Sequence, residues 1–536
     1  MAALLQKIID LVTVKPTRPS PETPDCLDEN GHVTFLPDDP ANSRQWSFRL
    51  KAYVTAINML MVFNASFASS APTANIVGVS QPFGVSSVAA NLVTTLLLLG
   101  YCAGPLFWAP MSELYGRRWL FVAGMTGNFA FIFLCAFTPT FGGLLVGRFL
   151  SGVFASAALT IAPGVAADLW DALPRGNVVA IFLVVIFAGP ACAPVSSGFL
   201  ELKKDWRWTY YQLLWLAALS LLLITTCLET CIPLLLARKA RRMQKLPGYE
   251  HARPPSSMEN LTPRRVFRIA LTRPWIMLID PLCLWTTIYM SFIYMLEYML
   301  FSIYPEIFQK KRHWNSGVGE LPFLGMVLGS CVAATIIFVE TAIMEKRKKH
   351  GKSKGYRPEG RMRIGMIGAV TFAAGIYWIA WTGEYTSIHW IVPTIAGVVL
   401  SAAIVLLFFA IFNYLIDAYL MFAASAVTAN TICRSALAAA SPPFTPQIFD
   451  AMGVGGAGSL LAGCATILAP IPFVFYRYGE ALRMKSEHAS VSAEMAKVVA
   501  RASRDSGHDG GGDEMEHEME EGSEADEEMK VGNMGR

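Results

Sequence analysis

The chain has 536 residues, of which 54% are hydrophobic and only 16% charged, whereas an ordinary soluble domain carries about 25% charged residues. A mean hydropathy of +0.42 excludes a water-soluble globule, since no such core could take up that much apolar surface. The net charge of +4 hides two opposed parts, because residues 505–536 hold 12 acidic residues and the remainder carries 42 basic against 28 acidic, a net of +14.

Residues 1–14 read as a short amphipathic helix suited to a membrane surface, ended by Pro16, Pro19, Pro21 and Pro24. The stretch 1–48 is expected to be a disordered cytoplasmic leader without a signal peptide. A bilayer crossing needs about 20 mostly apolar residues. Such runs lie near 50–72, 88–111, 119–137, 141–167, 177–200 and 209–232, and again near 278–304, 318–342, 364–383, 388–412, 419–445 and 454–477. Asn413 and Asp417 blur the boundary between the tenth and eleventh. The expected fold is therefore an all-α membrane protein of twelve transmembrane helices in two six-helix halves.

The halves are set at 49–232 and 278–480, with a central loop over 233–277 and a tail from 481 that is acidic and disordered from 505. Basic residues crowd the central loop (Arg238, Lys239, Arg241, Arg242) and the loop after the eighth span (Lys346, Arg347, Lys348, Lys349). The positive-inside rule then puts those loops and both termini in the cytoplasm. The acidic tail lacks the apolar mass to offset the entropy of ordering.

Catalytic and cofactor chemistry find no support. The eight histidines fall in loops, tails or at one span edge, so no cluster at membrane depth could hold haem or di-iron. Gly351, Lys352 and Ser353 resemble the end of a phosphate loop, but Lys346 stands where its first glycine belongs. The ten cysteines mostly sit inside spans and read as small apolar residues. The chain is expected to be no enzyme, with no metal or cofactor and no nucleic-acid partner. Twelve spans in two halves are the plan of a secondary transporter with its site between the halves.

The second and third runs are joined by GPLFWAPMSELYGRR, Gly104 to Arg118. Here Ala109, Met111, Glu113, Gly116, Arg117 and Arg118 resemble the loop motif of the major facilitator superfamily, and the wider wording is similar to the fungal twelve-span drug:proton antiporters, in the branch with polyamine and multidrug exporters. The likeness extends to Asp39, Pro40, Asn42 and Trp46 before span one, to Trp206, Arg207, Trp208 and Thr209, to Glu229, Thr230, Pro233 and Lys239, to 413–435 and to 469–479. It covers roughly residues 39–490.

The resemblance implies a cytoplasmic gate in which Glu113 and Arg117, flanked by Gly116 and Arg118, engage an acid at the end of span four, for which Asp168 is the candidate. Arginines at such boundaries also serve as topology determinants. The antiporter motif of span five is matched by Gly189, Pro190, Pro194 and Gly198, with Ala193 and Ser197 replacing glycines. Small residues and prolines there suit either a flexing helix or plain close packing.

Charges inside a membrane cost roughly 2.5–3.5 kcal/mol each at mid-depth and mark functional positions. Arg148 in span four matches the family's intramembrane arginine. Glu297 lies in the outer part of span seven between Tyr294 and Tyr298, while the family's usual glutamate position holds Ser302. Glu297 is a candidate proton or cation site, with snorkelling to the surface as the other reading. Asn430 and Arg434 share a face of span eleven at i and i+4, and Asn64 in span one is a further candidate for the cavity.

Together these readings give a proton-coupled efflux transporter exporting an amphipathic organic compound (a drug, toxin or secondary metabolite) by alternating access. The expected setting is a monomer in the plasma membrane or, alternatively, the vacuolar membrane, with protons and the lipid bilayer as partners. Two other readings stay open: proton-coupled uptake of a small nutrient or polyamine, and a non-transporting membrane sensor.

Overall fold

The computed structural model describes residues 26–28, 31–36, 39–255, 258, 262–349, 358–419, 422–486 and 489–490. The sequence readings for residues 1–14 and for the acidic tail lie outside the described residues. Among the described residues there is no β-strand, only two isolated bridges, Leu27 with Val33 and His32 with Arg253.

The first half begins with α1 (Phe48–Ser70), capped by the Ser47 side chain and carried on by the helical turns Ala71–Asn75 and Ile76–Phe83. Next come α2 (Ser87–Ala103) and α3 (Pro105–Tyr115), two segments of one span bent by 40°. Pro105 marks the bend, since it gives no N–H to the ladder. Then follow α4 (Arg117–Phe137), α5 (Phe141–Leu169), α6 (Ala172–Lys203) and α7 (Arg207–Ile224). Span six thus ends at Ile224, eight residues short of the expected 232, because Thr225–Cys231 turns away to deliver Glu229 and Thr230.

The central stretch is not simply a loop. It holds α8 (Ile232–Met243) and α9 (Pro263–Ile279), each with proline in its first turn, where the missing N–H costs nothing. The leader, expected to be disordered over 1–48, is structured where it folds back: Cys26 and Val33 are buried against Ala240, Met243 and Ala252, and Asp39 pairs with Lys239 at 2.8 Å. Burying those few apolar groups is what the leader's polar composition concealed.

The second half comprises α10 (Pro281–Tyr304), α11 (Phe323–Lys349), α12 (Met362–Glu384), α13 (Ile391–Tyr419), α14 (Ala423–Leu468) and α15 (Pro470–Lys485). Asn413 and Asp417 lie within α13, where Asn413 donates to the Phe409 carbonyl one turn back at 2.8 Å. The 46-residue α14 is two spans merged across Gly453, whose φ of 69° breaks the helix. Pro442, Pro443 and Pro446 precede that break without causing it.

By length and composition alone, nine helices among the described residues could each cross a bilayer, or ten with the bent pair α2 and α3. Dividing α14 at Gly453 and adding the 18-residue α7 brings the helices to the twelve of the fold. The halves meet along α2 with α14 and α6 with α11. Across the first seam Thr95 donates to the Ala439 carbonyl at 2.9 Å.

Candidate functional site

The turn between α3 and α4 is built around one carboxylate. Glu229 accepts from the backbone N–H of Arg117 at 2.8 Å and of Arg118 at 3.2 Å, capping the open first turn of α4. Gly116 permits this twice over, since its φ is 93° and a Cβ there would lie 2.5 Å from Glu229 Oε2. Arg118 in return donates to the Thr225 carbonyl at the end of α7, at 2.8 Å, where a cation suits the helix dipole.

Arg117 reaches the other way. Its Nε pairs with Asp168 Oδ2 at 3.2 Å and its Nη1 donates to Ser112 at 2.6 Å. Ser43 Oγ donates to the Asp168 carbonyl at 3.1 Å, lacing the leader to the same knot. Arg117, Arg118, Gly116 and Asp168 are therefore brought together, binding the ends of α3, α4, α5 and α7 within the first half. Glu113 stands beside this knot. It is exposed and makes no hydrogen bond or ion pair among the described residues, acting on Arg117 and Asp168 electrostatically only, while the backbone N–H groups of the turn are taken by Glu229.

The second half repeats the pattern. Arg361, just before α12, pairs with Asp417 near the end of α13 at 2.9 Å, and Glu359 pairs with Arg483 of α15 at 2.7 Å. The partners stand 51 residues apart in the first half and 56 in the second. Such correspondence is expected of two halves related as parallel repeats. The sequence reading missed the second pair; its signal is an arginine opening one span and an aspartate closing the next.

Two prolines explain much of the polar wiring deeper in. Pro72 leaves the Ala68 carbonyl without its helical donor, and Arg148 Nη2 supplies one at 2.9 Å while its Nε donates to Val93 O at 3.0 Å. Pro194 likewise frees the Pro190 carbonyl, which Ser70 Oγ takes at 2.6 Å. Arg148 is fully buried and stands on backbone of the first half, with no carboxylate among its partners. Asn64 donates to Ser220 of α7 at 3.2 Å, tying α1 to α7, while its Oδ1 is buried without a hydrogen-bond partner.

The span-five motif packs tightly at both ends. A Cβ on Gly189 would meet Ser66 Cβ of α1 at 2.9 Å, and one on Gly198 would meet the Ser316 carbonyl oxygen of the second half at 2.4 Å.

At the seam itself lies a charged and aromatic cluster. Glu297 of α10 is 1% exposed, and neither carboxylate oxygen has a hydrogen-bond partner. It does not snorkel. Arg434 of α14 is the charge that faces it, with its guanidinium over Tyr294 at 5.0 Å and Phe408 at 5.6 Å. The hydroxyls of Tyr294 and Tyr298 are 3.4 Å apart, and Tyr298 reaches Ser69 of α1. Phe187 of α6 meets Phe408 edge-on at 4.8 Å, and Tyr101 of α2 donates to the Ala65 carbonyl at 2.5 Å. Tyr101, Phe187 and Phe408 were not singled out from sequence, where an aromatic in an apolar run looks like any other.

Asn430 joins α14 to α10 through Thr287 at 3.4 Å. Ser302 is half-buried and, five residues from Glu297, points about 140° away around the helix. The two positions thus serve different faces of α10.

The sequence model described as Major Facilitator Superfamily matches residues 57–442. The chain belongs to that superfamily. It is a multi-pass membrane transporter of small molecules, not an enzyme. It is 38% identical over 483 residues to efflux pump FUBT of Fusarium oxysporum, covering 88% of this chain and 79% of that one. It is 35% identical to the major facilitator superfamily multidrug transporter mdrA of Aspergillus fumigatus, covering 87% and 77%. Among solved structures, the proton:xylose symporter XylE bound to 6-bromo-6-deoxy-D-glucose superposes with a TM-score of 0.56 at 17% identity, covering 81% of this chain and 96% of that one. The human organic anion transporter MFSD10 does so at 0.52 and 16%, covering 80% and 99%. These two likenesses bear on the fold alone.

Proposed function

We propose that this transporter is a proton-coupled exporter of amphipathic organic molecules such as drugs, toxins or secondary metabolites, working by alternating access as a monomer in the plasma membrane. Residues 49–232 and 278–480 are the moving halves, and both chain ends and the 233–277 stretch face the cytoplasm. The relatives named as efflux pumps and multidrug transporters favour export.

The observation that carries coupling is Glu297: a carboxylate with no hydrogen bond, buried at the seam opposite Arg434. Leaving such a group ionised and unpartnered is costly, so its protonation and the seam's closure are linked. Cargo enters from the cytoplasm or inner leaflet against Tyr101, Phe187, Tyr294 and Phe408; the halves rock; cargo leaves, and a proton on Glu297 lets the empty seam close again. Each charge moved gains about 2.3 kcal/mol per 100 mV of membrane potential. Ser302 in place of an acid argues against a polyamine, which needs several carboxylates.

The test is transport in sealed inside-out vesicles with a panel of fluorescent amphipaths. Accumulation driven by an acid lumen and abolished by a protonophore supports export; accumulation only under the reversed gradient would establish uptake, and no flux at all would favour a sensor.

A further inference from the structure

A pair of acids spans the seam at the end opposite the Gly116 turn. Glu320, just before α11, is 1% exposed. Gln309 Nε2 donates to its Oε1 at 2.7 Å, while its Oε2 is buried and bare. Its side chain lies on the first half: a Cβ on Gly198 of α6 would come within 2.9 Å of Glu320 Cγ. One turn further along α6 is Glu201, hydrogen-bonded to Ser316 of the second half and acting electrostatically on Glu320.

Among the described residues no cation forms an ion pair with either acid. On the segment between α10 and α11, Lys310 is held by Glu306 at 2.6 Å and lies 3.9 Å from Asp450, and Lys311 is held by Glu384 at 2.5 Å. Arg312 donates to the carbonyls of Tyr385 and Ile388. On the first half, Lys203, the last residue of α6, and Lys204 just past it are exposed, Lys204 lying over the Trp208 ring at 5.0 Å. On α11 itself Glu340 is the next charged residue, more than five turns away.

We propose that Glu201 and Glu320 form a proton-binding site between the halves, separate from Glu297, that keeps this end of the transporter shut while it holds a proton. Closure places Glu320 in a dry contact beside a second carboxylate, and two facing carboxylates resist being ionised together. One proton, on Glu320 Oε2, resolves both costs. Parting the halves exposes Glu320 to water, where it ionises. The sign follows: closure gains from acid, and that gain fades as pH rises through the value at which the closed pair gives up its proton. Glu201 carries a hydroxyl donor from Ser316 and Glu320 Oε1 an amide donor from Gln309, so the atom left for a proton is Glu320 Oε2.

The experiment is hydrogen–deuterium exchange on the purified full chain in lipid nanodiscs, corrected for intrinsic exchange, from about pH 5 to about pH 8. Amides of 313–320 and of 197–204 should exchange at least about tenfold faster at the alkaline end, a factor equal to about 1.4 kcal/mol. In Glu320→Gln the same amides should stay protected across the range, because the amide keeps the contact without a charge, and Glu201→Gln should leave a smaller pH-dependent change centred at lower pH, because the neighbouring charge that favours the proton on Glu320 is gone. A pH-independent wild type, or an unaltered profile in Glu320→Gln, would overturn the proposal. Exchange around the Arg117 turn serves as the folding control. The readout is opening rather than flux, so the outcome does not depend on what the seam carries or on coupling through Glu297.

Discussion

The backbone N–H of Arg117 donates to Glu229 Oε1 across 112 residues of sequence, at 2.8 Å. The acid that organises the α3–α4 turn therefore comes from beyond α7, not from Glu113 four residues away. Glu229→Ala should lower stability by about 1–2 kcal/mol, the cost of losing a helix cap. Glu113→Gln, on an exposed side chain, should change it by less than about 0.5 kcal/mol. Denaturant unfolding in detergent compares the two, and equal losses would mean that Glu229 is not the cap.

The pairs Arg117–Asp168 and Arg361–Asp417 are each about four-fifths shielded from solvent. Asp168→Asn and Asp417→Asn should each cost about 1–3 kcal/mol, between the values for exposed and buried pairs. Since the pairs sit in different halves, the two losses should add in the double variant. Marked non-additivity in unfolding would show that the knots act on each other across the seam.

Much of this was legible beforehand. Apolar runs gave ten of the span positions closely, Arg117 with Asp168 came from the resemblance in the loop motif, and Arg148 stood out because charges inside such runs are scarce. What sequence could not give was direction. Glu113 and Asn64 both sit in helices whose all-round apolar surroundings leave no periodicity to show which way a polar side chain points. Partners also stayed hidden: Arg148 and Ser70 act on carbonyls freed by Pro72 and Pro194, and the proline is visible in sequence but the donor that answers it is not. The break in α14 fell at Gly453 and not at its three prolines, because prolines remove single bonds whereas a left-handed residue redirects the chain.

Gly198 touches the second half with no room for a side chain. Gly198→Val should hold the Ser316 turn away from α6, leaving surface expression near wild type and reducing transport at least about tenfold through loss of a closed state. Gly176→Ala, where nothing lies within 4 Å, is the matched control. Normal transport by Gly198→Val would mean that this contact is not formed during the cycle.

Glu297→Gln bears directly on coupling. The amide has the same shape and can remain buried beside Arg434 and Tyr294 without a proton, so the seam should close whatever the gradient. Exchange of cargo down its own gradient should survive, because the aromatic lining is intact. Uphill accumulation should not: one pH unit supports about tenfold accumulation per proton carried, and in this variant the ratio should fall to about one. Vesicle uptake measured with and without a pH step separates the two modes. If Glu297→Gln still concentrated cargo with an unchanged dependence on the step, the coupling proton would have to reside on another group.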